Sequence, residues 1–278
     1  MLIAQTSDGI ARVAGDELEL LDHSGPLDEL IVEGRLAELN GLKTRKTIGW
    51  NETTLASPIC RPGKIVVIGL NYRDHAAETG NPLPTFPRFH FIPGSAVTGS
   101  GAGVPLPRSA PGKVDFEGEL AIVIGRTGCD IPEESAWDFV AGGTVADDIS
   151  ARDIQFGENP QLPMASPALA KGFDHFKPLG PALLTADELR EHNALNITTE
   201  VNGIVRQRSS TAELVFSVPA LLAFVSSFLT LEAGDVVLTG TPGGTGVADD
   251  RYLTAGDVVA VTVENIGTLT NTITKAAT

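Results

Sequence analysis

The sequence predicts a β-rich α+β protein, with a small N-terminal unit over residues 1–60 and a larger unit over residues 61–278. Three observations carry this. Short β-branched runs recur between turn dipeptides, among them Asp8-Gly9, Asn202-Gly203, Gly234-Asp235 and Gly256-Asp257. Glycine and proline are frequent, at 30 and 18 residues, which suits many short strands joined by tight turns. Helix-like apolar spacing is limited to short stretches such as Leu27–Leu39 and Val218–Phe228.

Taken in order, Met1–Ala14 reads as strand-like pieces broken at Asp8-Gly9, and Leu27–Leu39 as a helix despite Gly34. The proline-flanked stretch Leu55–Arg61 reads as a linker. Lys64–Leu70 is a continuous apolar strand, and the Ala-rich run after Asn71 starts a helical turn. Residues 80–113 hold seven prolines among glycines, which predicts a long irregular lid or binding loop. Leu120–Ile124 is a strand in a covered sheet, and Gly142–Ala146 another. Leu195–Val201 and Ile204–Arg208 form a hairpin about Asn202-Gly203. Two Gly-Asp starts, at 234 and 256, introduce the last strands, a spacing that fits a β-roll or barrel.

Composition narrows the function. The net charge of −15 argues against nucleic acid or an anionic membrane as partner. No basic-then-apolar start and no run of membrane-spanning length are present, so no membrane contact is expected. The two cysteines, Cys60 and Cys129, match no metal spacing and point to a reducing, cytoplasmic setting.

The chemistry-bearing residues centre on Asp115-Phe116-Glu117-Gly118-Glu119. On a strand, Glu117 and Glu119 share a face, roughly 6.6 Å apart. Side-by-side carboxylates need a cation, a basic side chain or solvent between them. Either Asp147 or Asp148 can complete a three-carboxylate set, and hard oxygen donors select Mg²⁺ or Mn²⁺ over Zn²⁺. His75 and Glu78, three apart on a helical turn, have the spacing of a carboxylate-steadied imidazole, the usual build of a general base. Arg152 can pair with Asp153, and Lys171 can offset an oxyanion. His90, between Phe89 and Phe91, reads as a packing residue and is not taken as a ligand. The turn Thr239–Gly246 looks superficially like a phosphate cradle but lacks the Gly-Lys-Ser/Thr ending, so nucleotide binding is not expected.

The ordered succession GLNYRDHAAETG, DFEGELAIVIG, GGTVADDISARDIQ, KGFDHFKPLGP, VNGIVRQ, GDVVLTGTPGGTGV and GDVVAVTVENIGTLTN resembles the fumarylacetoacetate hydrolase family, from about Lys64 to Asn271. The resemblance implies a mixed β-roll catalytic domain, a homodimer, and Mg²⁺ or Mn²⁺ (Ca²⁺ in some members) held by Glu117, Glu119 and Asp148. It puts His75 and Glu78 on the water-activating dyad and Lys171 on a lysine that meets substrate or oxyanion. Tyr72, Arg152, Gln155 and Thr241 fall on substrate-pocket positions. The implied reaction is hydrolysis of a carbon–carbon bond in a 1,3-diketo acid such as an acylpyruvate. Oxaloacetate decarboxylation, 2-oxo-diacid isomerisation and turnover-free binding of oxo acids are the alternatives. One departure stands out. Many relatives carry a lysine where this chain has Ile92, so a cation is missing from that segment or is supplied by another residue.

Overall fold

The strand Gly118–Ile124 lies inside a large mixed sheet, buried along its whole length. Its alternation divides the core in two: Leu120, Ile122 and Ile124 join one apolar cluster, and Ala121 and Val123 another. The computed structural model describes residues 1–50, 53–192 and 194–276.

Across this sheet the strands run in the order Thr44–Gly49, Glu17–Leu21, Gly9–Ala14, Leu2–Thr6, Lys177–Thr185, Val140–Asp147, Gly118–Ile124, Val236–Leu238, Ile65–Ile68 and Phe89–Ile92. Most pairs are antiparallel, and Val236–Leu238 runs parallel to Ile65–Ile68. A second sheet of five strands joins Ile204–Ser210, Asn196–Val201, Val258–Val263, Gly267–Thr274 and Gly103–Pro105. Its first two strands form the predicted hairpin, with Asn202 and Gly203 at φ of 54° and 76°, the left-handed pair that this type of turn requires. The fold is β-rich α+β with mixed sheets, as read from the sequence.

Two local readings are refined. Leu27–Leu39 is split: a helix covers Leu27–Val32, Gly34 turns at φ 68°, and a 3₁₀ segment covers Leu36–Gly41. Glycine lets the chain leave the helix there without Cβ strain. The proline-rich stretch 80–113 is also less irregular than its composition suggests. Phe89–Ile92 pairs antiparallel with Ile65–Ile68, placing His90 opposite Val67 at the edge of the main sheet. The N-terminal strands continue the same sheet, since Leu2 and Ile3 pair with Leu184 and Leu183.

Candidate metal centre and active-site cavity

Glu117 and Glu119 flank Gly118, and the glycine explains how both carboxylates reach one side. A Cβ at Gly118 would stand 2.1 Å from Thr199 Oγ1 and 2.9 Å from Val261 Cγ1 of the five-stranded sheet. That sheet therefore packs against the backbone of Gly118 while the two glutamates turn the other way. Asp148 follows the strand Val140–Asp147, and its N–H donates to Glu117 O at 2.8 Å. Carboxylate oxygens of Glu117, Glu119 and Asp148 lie within 4.8 Å of one another, and all three residues are buried. Asp147 does not join them; its Oδ1 accepts from Glu117 N at 2.9 Å.

Three cations surround the triad. Lys171, at the end of the short helix Pro167–Lys171, places Nζ 2.5 Å from Glu117 Oε2 and against Asp148 Oδ2. Arg152 sets Nη2 2.7 Å from Glu117 Oε1 and donates through Nε to Asp115 Oδ2 at 2.8 Å. Its partner is thus not Asp153, whose Oδ2 accepts from Asn159 Nδ2 at 2.8 Å. Lys177, which sequence reasoning did not single out, lies 2.7 Å from Asp148 Oδ1 and donates to the carbonyls of Ile149 and Phe176.

Burial and charge sort these groups. Burial pushes Glu117 up, but Arg152 and Lys171 outweigh it and hold the carboxyl below the usual range. Burial, then Asp148 and Glu117, push Glu119 well above it. Burial lowers Lys171, yet Asp148 and Glu117 together raise it, so its ammonium persists. Among the described residues Glu117 and Asp148 each pair with basic side chains, whereas Glu119 forms no ion pair. A hard divalent ion among three oxygen donors would supply the missing charge, so the residues fit Mg²⁺ or Mn²⁺.

Two of the three carboxylates, Glu117 and Glu119, line a cavity of about 450 Å³. His75, Arg152, Gln155, Lys171 and Thr241 line it together with Glu117 and Glu119. His75 Nδ1 is 3.2 Å from Glu78 Oε2. Gln155 Oε1 accepts from Arg152 Nη1 at 2.7 Å. Thr241 spends its hydroxyl on structure, donating to Gly118 O at 3.0 Å and accepting from Gln207 Nε2 at 2.9 Å. Tyr72 is placed differently: it is wholly buried, its hydroxyl has no partner, and it is not among the residues that line the cavity.

The glycine-rich turn has a use that its sequence conceals. Its backbone N–H groups bind anions, and those anions are the protein's own carboxylates. Gly240 N donates to Glu119 Oε2 at 2.7 Å, Gly244 N to Glu78 Oε1 at 2.8 Å, and Gly246 N to Asp115 Oδ1 at 2.7 Å. Gly244, at φ 98°, has room for no side chain, since a Cβ would lie 2.1 Å from Arg206 O. Position 92 offers no cation: Ile92 is buried in the core and pairs with Ile65 of the neighbouring strand. The signal for Lys177 was its place in KGFDHFKPLGP, a charged residue opening an otherwise apolar strand.

Known proteins share this arrangement of elements. The family model for the fumarylacetoacetate hydrolase C-terminal domain matches residues 64–274. The chain is 43% identical over 222 residues to a mitochondrial oxaloacetate tautomerase, fahd2, of Xenopus laevis, covering 79% of this chain and 68% of that protein. Among solved structures, a fumarylacetoacetate hydrolase from psychrophilic Exiguobacterium antarcticum superposes with a TM-score of 0.86 at 30% identity, covering the whole of both chains. Maleylpyruvate hydrolase from Sphingobium sp. SYK-6, solved in complex with manganese(II) ion and pyruvate, superposes at 0.79 with 28% identity, again over the whole of both chains. By its matched domain, its fold and its relatives, the chain belongs to the fumarylacetoacetate hydrolase family of enzymes.

Proposed function

We propose that this chain is a divalent-metal-dependent enzyme that interconverts the keto and enol forms of a small 2-oxo acid of the oxaloacetate type. The observation that carries the reading is convergence. One cavity is lined by a carboxylate-steadied imidazole, a buried ammonium and two members of a hard-donor triad.

Mg²⁺ or Mn²⁺ held by Glu117, Glu119 and Asp148 would bind the oxo-acid end of the substrate and, as a Lewis acid, make the neighbouring C–H more acidic. His75 has Nδ1 against Glu78, which leaves Nε2 to take that proton. Glu78 steadies the imidazolium, and the backbone N–H of Gly244 fixes Glu78. Lys171 offsets the negative charge that gathers on the 2-oxo oxygen. Returning the proton from His75 to that oxygen completes the enol, with no other reactant consumed.

A second reading is hydrolysis of a carbon–carbon bond in an acylpyruvate-like diketo acid. It is favoured by the partial exposure of His75, which lets a water reach the same base, and by the likeness to maleylpyruvate hydrolase. The test is a panel with Mn²⁺ or Mg²⁺: ultraviolet-monitored keto–enol exchange of oxaloacetate beside cleavage of acylpyruvates. Acceleration of exchange that Glu119→Gln abolishes supports the first reading. Cleavage that His75→Ala abolishes supports the second. Metal-independent activity, or none on either substrate, overturns both.

A further inference from the structure

We infer that Gln207 and Ser209, on one strand of the five-stranded sheet, are positioning residues for the active site: Gln207 holds the strand and turn that carry the metal ligands, and Ser209 holds the helical turn that carries His75. The inference rests on the reading of the triad as metal ligands and of His75 as base, and it names what keeps the two in register.

The strand Ile204–Ser210 pairs with Asn196–Val201, and the register shifts between Thr199 and Glu200. Thr199 opposes Gln207 and Glu200 opposes Val205, so Arg206 is a bulged residue. The bulge brings Arg206 O against Gly244, where no side chain fits. Beyond it, Gln207 and Ser209 share one strand face, while Arg208 between them is exposed. Gln207 is wholly buried. Its Oε1 accepts from Gly118 N at 2.9 Å, and its Nε2 donates to Thr241 Oγ1 at 2.9 Å and to Pro242 O at 2.8 Å. Thr241 in turn donates to Gly118 O, so both backbone groups of the residue between Glu117 and Glu119 are held. Main-sheet pairing on this edge of the metal strand ends at Ala121 opposite Leu238, and these side chains take over where it stops. The turn that Gln207 grips also gives Gly240 N to Glu119 Oε2.

Ser209, two residues on, donates to Asp74 Oδ2 at 2.5 Å, and Asp74 Oδ1 accepts from His75 N at 2.7 Å. Asp74 lies in the first turn of the helix Arg73–Glu78, so this bond ties the helix of the base to the same strand. A neutral amide is the fitting group at position 207, since it donates and accepts at once without adding a charge beside the carboxylates. With both N–H groups and its oxygen engaged, its rotamer is fixed. A metal site needs its donors held closely, and a base must stay aligned with the carbon it deprotonates. Neither Gln207 nor Ser209 is among the residues that line the cavity, so each acts through others.

The test separates the two supports. Mn²⁺ affinity is measured by electron paramagnetic resonance of the free ion, and kcat and KM on whichever substrate of the panel above the wild type turns over. Gln207→Met, similar in size and uncharged, should weaken Mn²⁺ binding roughly 10- to 100-fold. Ser209→Ala should leave Mn²⁺ binding and KM unchanged and lower kcat roughly 10- to 100-fold. Ser209→Thr, which keeps the hydroxyl, should restore it. General loosening of the fold would not divide the two effects in this way. Wild-type Mn²⁺ affinity in Gln207→Met, wild-type kcat in Ser209→Ala, or weakened Mn²⁺ binding in Ser209→Ala overturns the inference while leaving the metal reading intact. If Gln207→Met does not fold, the two Ser209 variants decide alone. Wild-type protein that binds no Mn²⁺, or turns over neither substrate, overturns the underlying reading and the inference with it.

Discussion

Lys177 Nζ lies 2.7 Å from Asp148 Oδ1, while Lys171 approaches Oδ2 of the same carboxylate. One aspartate is thus held from both oxygens, by a lysine that lines the cavity and by one with no solvent exposure. Lys177 also donates to the carbonyls of Ile149 and Phe176. Lys177→Met should remove the cation and leave those acceptors and Asp148 Oδ1 buried without it. Breaking a buried pair from one side typically costs about 3–5 kcal/mol. Urea unfolding in the presence of a chelator should show a loss of that order; a loss below about 1 kcal/mol would contradict the account.

Asp115 is the hinge between the metal wall and the glycine-rich turn. It accepts from Arg152 Nε at 2.8 Å, Gly246 N at 2.7 Å, Val247 N at 3.1 Å and Phe116 N at 2.9 Å. Asp115→Asn would turn an amide N–H toward one of these donors and loosen Arg152 from Glu117. Mn²⁺ affinity should fall roughly 10- to 100-fold, as for other partners that orient a metal ligand. An unchanged dissociation constant would show that Arg152 is positioned without it.

Gly118 tests how the second sheet positions the glutamates. Gly118→Ala should destabilise the protein by roughly 1–3 kcal/mol through overpacking against Thr199 and Val261. Adding Thr199→Ala removes the nearest atom, so the double variant should be more stable than the two separate losses predict. Strict additivity in thermal or urea unfolding would mean that the clash is relieved elsewhere.

His90 predicts a pH dependence. Burial is the largest influence on its ring and lowers its pKa from the ordinary 6.5. Below 6.5 the unfolded chain takes up a proton that the folded protein resists, so stability is fully present above 6.5 and declines as pH falls toward the lowered folded value. His90→Phe should flatten this decline. Urea unfolding of both proteins between about pH 5 and 7.5 would show curves that diverge toward acid; parallel curves would be incompatible with a half-buried ring that resists protonation.

What could be read in the chain beforehand was local. The hairpin at Asn202-Gly203 follows from left-handed backbone preferences of two adjacent residues. The pairing of His75 with Glu78 follows from helical spacing, and the shared face of Glu117 and Glu119 from the strand period. The ordered motifs added the third carboxylate, Asp148, and Lys171. Composition misled in one place: proline and glycine hid the edge strand Phe89–Ile92, because its pairing partner, not its own propensity, makes it a strand.

Which chemical groups are available, and which near neighbours share a face, follow from the order of residues, because helix and strand periods depend only on backbone geometry. Which charge meets which is set by the packing. It pairs Arg152 with Asp115 and Glu117, sets Lys177 on Asp148, and withdraws Tyr72 from the cavity wall. It also makes the glycine-rich turn a cradle for the protein's own carboxylates: Gly240 N meets Glu119 and Gly246 N meets Asp115 across 121 and 131 residues. Such contacts depend on how sheets stack and where backbones can approach, and a one-dimensional pattern of residue types does not encode those distances.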